Sequence, residues 1–225
     1  MRHAFFGGAV LILGVVLGAT AASATILPPA GSSATPDLFL PPVSGTVIAS
    51  IGGPWAGSGG FSGNYQEIVY KDPLNPFSAN DLDFIFATTN TSSPALGNEI
   101  GRMTTFNFAG FSTDVGNVAS NTLTSPCSNV NTVPLTSVDR SFDGSVIGFN
   151  LAPITVFPGE CTQDLVVETN AVSFGPGTIS IIDSQTATIA GFSPSTVPEP
   201  GTLALLGSGI LGMVGTMLGR RKTGA

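Results

Sequence analysis

Short runs that alternate apolar and polar residues fill the middle of this chain. Glycine, proline, asparagine and aspartate separate the runs, and period-two alternation between such turn residues is typical of β-strands. The runs are Gln66–Tyr70, Leu82–Ala87, Ile100–Phe108, Ser145–Leu151, Leu165–Thr169, Thr178–Ile182 and Thr186–Ala190. No sustained 3.6-residue apolar stripe interrupts them. The pattern predicts an all-β domain of at least seven strands, an antiparallel β-sandwich or jelly-roll-like fold.

The alternation also predicts which side chains face the core. It places three sets on common strand faces: Leu82, Phe84 and Phe86; Phe106 and Phe108; and Ile147, Phe149 and Leu151. Two stretches lack a period. Residues 25–44 hold five prolines and predict an extended lead-in, and the glycine content of Gly52–Gly60 predicts a loop.

The N-terminus has the three parts of a secretory signal peptide. Arg2 precedes an apolar run from Ala4 to Leu17, and small residues at Ala22 and Ala24 form a cleavage site. The run is shorter than the roughly 20 residues of a membrane span. We therefore expect a signal helix in residues 1–24, cleavage after Ala24, and export.

The C-terminus predicts a membrane anchor. Seventeen uncharged residues, Thr202–Leu218, precede the basic stop Arg220, Arg221 and Lys222. The length is at the short limit for a transmembrane helix, and the basic end fixes an orientation with the domain away from the cytoplasm. Just before the span, Pro198 and Pro200 hold the chain extended. The domains predicted are thus 1–24, the lead-in 25–44, a β-sandwich over 45–196 and a tail over 197–225.

Composition excludes several classes of function. Residues 25–196 carry three cations against 13 carboxylates, a formal net charge of −10. Such a surface repels phosphate backbones, so nucleic acid is not expected as a partner. The single histidine, His3, lies in the signal peptide, which excludes catalytic triads and zinc sites built on histidine from the mature chain. Cys127 and Cys161 are expected to form one disulfide in an exported protein.

The tail resembles the PEP-CTERM protein-sorting signal of Gram-negative bacteria. The resemblance is carried by Val197-Pro198-Glu199-Pro200, the glycine- and leucine-rich span and the Arg-Arg-Lys end, although Gly201 stands where serine or alanine is more usual. It implies recognition by an exosortase, a membrane cysteine protease, with a transient membrane anchor through 202–218. It also implies association with exopolysaccharide and biofilm. The segments 108–116, 139–141 and 165–183 resemble domains found with this tail, and imply no chemistry.

Three groups in the middle of the chain are candidate binding sites. Asp81 and Asp83 share a strand face and suit either Ca²⁺ or a glycosidase pair, but a solvated strand edge is the favoured interpretation. Asp139 and Asp143 bracket Arg140, which favours a turn with a local ion pair over a calcium loop. A tryptophan such as Trp55 can stack on a sugar ring, but it packs more often against the edge of a β-sandwich.

The function expected is that of a non-enzymatic, structural protein of the cell surface or extracellular matrix. It requires no cofactor and no metal, and its partners are the exosortase, the membrane and exopolysaccharide. A carbohydrate-binding or adhesin module, with Trp55 as a contact, is the second hypothesis. A two-carboxylate hydrolase is the third. An exposed aromatic platform would favour the second, and carboxylates facing each other across a cleft would favour the third.

Overall fold

The computed structural model describes residues 25–39, 45–94, 97–118, 124, 126–127 and 131–196. Within them the chain is all-β, as the alternation predicts, and a 3₁₀ turn lies at Ser58–Gly60. The strands are β1 Ser33–Ala34, β2 Asp37–Phe39, β3 Thr46–Ala56, β4 Ser62–Asp72, β5 Asp81–Asn90, β6 Arg102–Phe106, β7 Thr113–Val118, β8 Thr132–Val133, β9 Ser137–Arg140, β10 Val146–Asn150, β11 Cys161–Thr162, β12 Asp164–Thr169, β13 Phe174–Ile182 and β14 Thr186–Pro194. Every predicted run falls on a strand.

The strands form two sheets. One has six strands in the order β1-β9-β10-β6-β13-β14, and the other has eight strands. In the larger sheet β5 is central: β4 pairs with one edge and carries β3, while β12, β7 and β2 follow from the other edge. The short strands β11 and β8 extend that second edge. The pairs β2–β7 and β8–β11 are parallel, so the sheets are mixed rather than purely antiparallel.

One hydrophobic core joins the two sheets. Phe84 and Phe86 of β5 lie in this core: the Phe84 ring is 5.5 Å from that of Phe108, and the Phe86 ring is 5.7 Å from that of Phe149 in β10. Leu82, Ile147 and Leu151 are buried in the same core, as their alternation predicts. Burial of each large apolar side chain contributes about 1.5–3 kcal/mol.

The predicted face of β6 is wrong. Met103 and Thr105 are the fully buried side chains of this strand, whereas Phe106 is half-buried. Asn107 then adopts a left-handed conformation with φ of 70°, which interrupts the alternation and lets Phe108 enter the core. A single residue with positive φ is enough to break a period-two count.

The glycine-rich stretch predicted as a loop is largely strand. β3 continues through Gly52-Gly53-Pro54 to Ala56, and the chain leaves the sheet only at the 3₁₀ turn. Pro54 fits because β3 pairs on one side only, with β4, so its missing N–H interrupts no second ladder. Gly52 fits because a Cβ there would lie 2.6 Å from the Tyr65 carbonyl oxygen.

The lead-in is more structured than its proline content suggests. It contributes β1 and β2, one to each sheet, and Leu27 is fully buried in the shared core. Pro28, Pro29 and Pro36 lie between these contacts, and the pairing partners come from strands more than 70 residues away in sequence. Local periodicity cannot reveal such short, non-local pairings.

Cys127 and Cys161 lie at disulfide distance, as the sequence predicts. They are bridged, with Cα atoms 5.6 Å apart, within the range that a disulfide requires. The bridge joins β11 to a segment 34 residues earlier, and both cysteines are buried beside Ala87 of β5.

The two predicted terminal helices fall in residues 1–24 and 197–225, outside the described residues. In the part that the structure describes, no helix has the length and apolar character needed to cross a membrane.

Candidate functional site

The sorting residues predicted from the sequence lie outside the described residues. They are Val197, Pro198, Glu199, Pro200, Arg220, Arg221 and Lys222, and the same holds for Ala22 and Ala24 at the signal cleavage site. The structure does describe the chain up to Thr196. Ser195 is held against the domain, because its N–H donates to the Ser173 carbonyl oxygen at 3.0 Å.

The most unusual feature of the described residues is a row of five carboxylates across the larger sheet, here called the acidic ladder. Its members come from β4, β5, β12, β7 and β2: Asp72, Asp83, Glu168, Asp114 and Asp37. Glu168 stands opposite Asp83 on one side and opposite Asp114 on the other. Strand alternation places all five on the face turned away from the shared core, since their sequence neighbours Phe84, Val167 and Val115 face inward.

Three members of the ladder converge on one point. Asp72, Asp83 and Glu168 each offer a carboxylate oxygen, and these oxygens lie within 4.8 Å of one another. Asp83 is only 2% exposed, Asp72 is buried and Glu168 is half-buried. We call these three residues the carboxylate triad.

Hydrogen bonds from the β4–β5 connection hold the triad in place. The Asn75 side-chain amide donates to Asp83 Oδ1 at 2.8 Å and to the Thr169 carbonyl oxygen at 3.1 Å. The Leu74 backbone N–H donates to Asp72 Oδ1 at 2.8 Å. The connection therefore folds back over the ends of β4 and β12, and it fixes the carboxylate positions.

Burial and mutual repulsion raise the pKa values of the ladder. Burial, reinforced by the charge of Glu168, raises the pKa of Asp83 to about 9. Burial, with Asp114 next in importance, raises the pKa of Glu168 to about 8. Burial and the charge of Asp37 raise the pKa of Asp114 to about 7. Like charges this close disfavour joint ionisation, so the ladder needs protons or a cation to be neutral at pH 7.

No cationic side chain of the described residues neutralises the ladder. Lys71 is exposed and, by alternation along β4, projects from the opposite face to Asp72. Arg102 forms a salt bridge with Asp139 at 2.5 Å, and Arg140 is buried among carbonyl oxygens.

The solvated strand edge predicted at Asp81 and Asp83 is wrong, because β5 is a central strand and both side chains are buried.

The far end of the ladder meets the start of the described chain. The Thr25 backbone N–H donates to Asp37 Oδ2 at 3.2 Å, and Ile26 forms an isolated bridge with Asp114. Asp114 is 1% exposed, and its Oδ1 has no hydrogen-bond partner among the described residues. A buried carboxylate oxygen without a donor is costly, and no cationic side chain of the described residues compensates it.

Trp55 packs inside the protein and offers no exposed platform. It is 4% exposed, its Nε1 donates to Thr88 Oγ1 at 2.8 Å, and its ring meets that of Phe61 edge-on at 4.7 Å. A side chain at position 63 would clash with the indole, so Gly63 provides the space it occupies. The structure therefore shows that Trp55 packs inside the protein, which was the alternative to stacking on a sugar.

The local ion pair expected around Arg140 is absent from the described contacts of that residue. Arg140 is 2% exposed and donates five hydrogen bonds, four to carbonyl oxygens and one to Thr113 Oγ1. Asp139 pairs with Arg102 instead, and Asp143 accepts hydrogen bonds from Ser141 and Ser145 within its own turn. The prediction is wrong because alternation sends Asp139 and Arg140 to opposite faces of β9.

Comparison with known proteins bears on the tail. Residues 196–222 match the PEP-CTERM protein-sorting motif. The chain carries a PEP-CTERM sorting domain. PEP-CTERM motifs are processed by exosortases, so an exosortase is a partner of the tail, and the motif implies export with transient membrane anchoring. No curated protein and no solved structure matches the chain significantly.

The sequence indicated one member of the carboxylate triad, but it did not indicate that three carboxylates converge. Asp83 stands out as part of a close pair, but Asp72 and Glu168 look like single polar residues on separate strands. They are 96 positions apart, and only the order β4-β5-β12 brings them together. The sequence contains only a weak signal of this arrangement. Each carboxylate lies within or at the end of a strand, at a position that alternates with the core-facing apolar residues.

Proposed function

We propose that this PEP-CTERM protein is a non-enzymatic structural component of the cell surface or extracellular matrix, associated with exopolysaccharide. The observation that carries the proposal is the place of the sorting motif. β14 ends at Pro194, and the motif match begins at residue 196. The motif thus follows the last strand almost directly, so the sorting signal and the sandwich that it would display are adjacent in sequence.

The tripeptide Pro198-Glu199-Pro200 supports sorting over simple anchoring. An anchor needs an apolar span and a basic stop, which 202–218 and 220–222 supply without it. Two prolines around a carboxylate provide an extended, charged segment at the membrane surface that an exosortase can grip. The route is export across the inner membrane of a Gram-negative bacterium, transient anchoring, and release to the surface or beyond.

The properties of the domain fit a life outside the cell. A buried disulfide suits an oxidising compartment, and the two sheets share one hydrophobic core. The formal net charge of −10 over residues 25–196 disfavours nucleic acid as a partner.

The two rival functions gain little support from the described residues. The carbohydrate-binding hypothesis relied on Trp55, whose indole is buried. The hydrolase hypothesis required carboxylates facing each other across a cleft. The close carboxylates of the triad lie side by side on one sheet face instead.

Sorting is tested with Glu199→Ala in the native host. We expect two forms of the wild-type protein, a full-length membrane form and a shorter form that lacks the span. The variant should insert normally but accumulate as the full-length form, because the processing enzyme has lost its charged contact. Asp183→Ala, a carboxylate change in the β13–β14 hairpin, is the matched control and should be processed like wild type.

Intact-mass measurement of membrane and surface fractions reads the outcome. A surface protein that still ends at Ala225, with Glu199→Ala and wild type indistinguishable, would show that the tail is an ordinary anchor. The exopolysaccharide association has a separate test, which is retention of the processed protein at the surface of a strain that makes no exopolysaccharide. Full retention there would contradict the association while leaving sorting intact.

A further inference from the structure

We propose that the carboxylate triad, Asp72, Asp83 and Glu168, binds a Ca²⁺ ion that holds strands β4, β5 and β12 together. The three residues come from neighbouring strands of the larger sheet, on the face away from the shared core. The proposal concerns the domain alone and does not depend on how the tail is processed.

The spacing of the oxygens fits a calcium ion. Ca²⁺ takes six to eight oxygen ligands at about 2.3–2.6 Å, so two oxygens on one ion lie at most about 5 Å apart. The triad oxygens lie within 4.8 Å of one another. One ion can therefore contact all three residues, with water completing its shell on the half-exposed side of Glu168.

A second observation, independent of the triad, points to missing positive charge at the same place. Asp114 stands directly opposite Glu168 in the ladder, on the face that carries the triad. It is 99% buried, and its Oδ1 accepts no hydrogen bond from the described residues. Its charge is among the causes that raise the pKa of Glu168. A divalent cation beside Glu168 would compensate this buried carboxylate, which no described side chain does.

The surrounding groups hold the carboxylates in place for an ion, which would replace the side-chain hydrogen bond between Asp72 and Asp83. The two donors to the triad, the Asn75 amide and the Leu74 N–H, each occupy one carboxylate oxygen, Asp83 Oδ1 and Asp72 Oδ1. A carboxylate has two oxygens, so such donors orient the group and leave a ligand atom for the metal. The titratable groups that face the triad are Asp81, which stands opposite Asp72, and Asp114, Asp37 and Tyr70, and none is cationic.

The test uses the full chain purified in detergent, treated with EDTA and desalted, and titrated with CaCl₂ by calorimetry. We expect one site per chain, with a Kd of roughly 10⁻⁴–10⁻³ M as in other extracellular calcium modules. The melting temperature should rise with Ca²⁺.

Two variants locate the ion. Asp83→Asn and Glu168→Gln should weaken binding at least tenfold, yet melt no lower than wild type in EDTA, because each replaces a buried carboxyl with an uncharged group of the same shape. Asp143→Asn, in the exposed β9–β10 turn, is the control and should bind like wild type. Unchanged Ca²⁺ affinity in both triad variants would place the ion elsewhere. No binding by wild type up to 10-fold above the expected Kd would leave protons as the only neutralising charge, and either result overturns the proposal.

Discussion

Glu67 is a carboxyl buried in the middle of the sandwich, and its titration should control stability. It lies on β4, faces inward between the sheets and is fully buried. Its Oε2 accepts the Phe192 N–H at 2.7 Å, and its Oε1 has no partner among the described residues. Burial raises the pKa of Glu67 to about 8, and the hydrogen bond from Phe192 only partly offsets this. Folded protein therefore keeps Glu67 neutral at pH 7, whereas unfolded chain ionises it.

The sign of the effect follows from proton binding. Below pH 4.5 both states are protonated, and Glu67 has no effect on the pH dependence. Between pH 4.5 and 8 the folded state binds more protons, so stability falls as pH rises. That window spans about 3.5 pH units, and at about 1.4 kcal/mol for each the loss approaches 5 kcal/mol at most. Above pH 8 the loss is complete and stability levels off.

Glu67→Gln keeps the shape and the acceptor for Phe192 but does not titrate. We expect the free energy of unfolding of the variant to exceed that of wild type increasingly from pH 5 to pH 8, by up to several kcal/mol. The assay is urea denaturation of residues 25–196 in EDTA at each pH. Asp83, Glu168 and Asp114 titrate in the same range, but they are present in both chains, so the difference isolates Glu67. A difference that stays constant from pH 5 to pH 8 would show that Glu67 ionises normally in the fold.

Three further predictions concern the stability of the same domain. Arg140→Lys should lower the free energy of unfolding by about 3–5 kcal/mol, because an ammonium offers three donors to the five acceptors around Arg140. Urea denaturation measures this loss, and a value below about 1 kcal/mol would contradict the prediction. Replacing both Cys127 and Cys161 with serine should cost roughly 4 kcal/mol, and thiol labelling of unreduced, denatured wild type should give no signal. In a chain that begins at Thr25, the α-ammonium would pair with Asp37, so N-acetylation should lower the free energy of unfolding by roughly 0.5–1 kcal/mol. If N-acetylation lowers the stability of an Asp37→Asn variant by the same amount, that pairing is refuted.

Local patterns in the sequence were sufficient for the fold class and for the tail. Alternation alone located β5, β10 and β12, because a strand with one face in a core must repeat every two residues. It failed at β3, where an edge position tolerates glycine and proline, and at Phe106, where a left-handed Asn107 shifts the faces. Both failures come from features that depend on the neighbouring strand or on a single backbone angle.

The sequence by itself determined the sorting signal, because a PEP-CTERM tail is a contiguous segment with its chemistry in a fixed order. It determined the alternation of the strands for the same reason. Only the tertiary structure decided that Asp72, Asp83 and Glu168 meet, that Trp55 is packed away and that Arg140 bridges carbonyl groups in the interior. Strand order and register bring distant residues together, and a slip of one residue would send each side chain to the other face of the sheet.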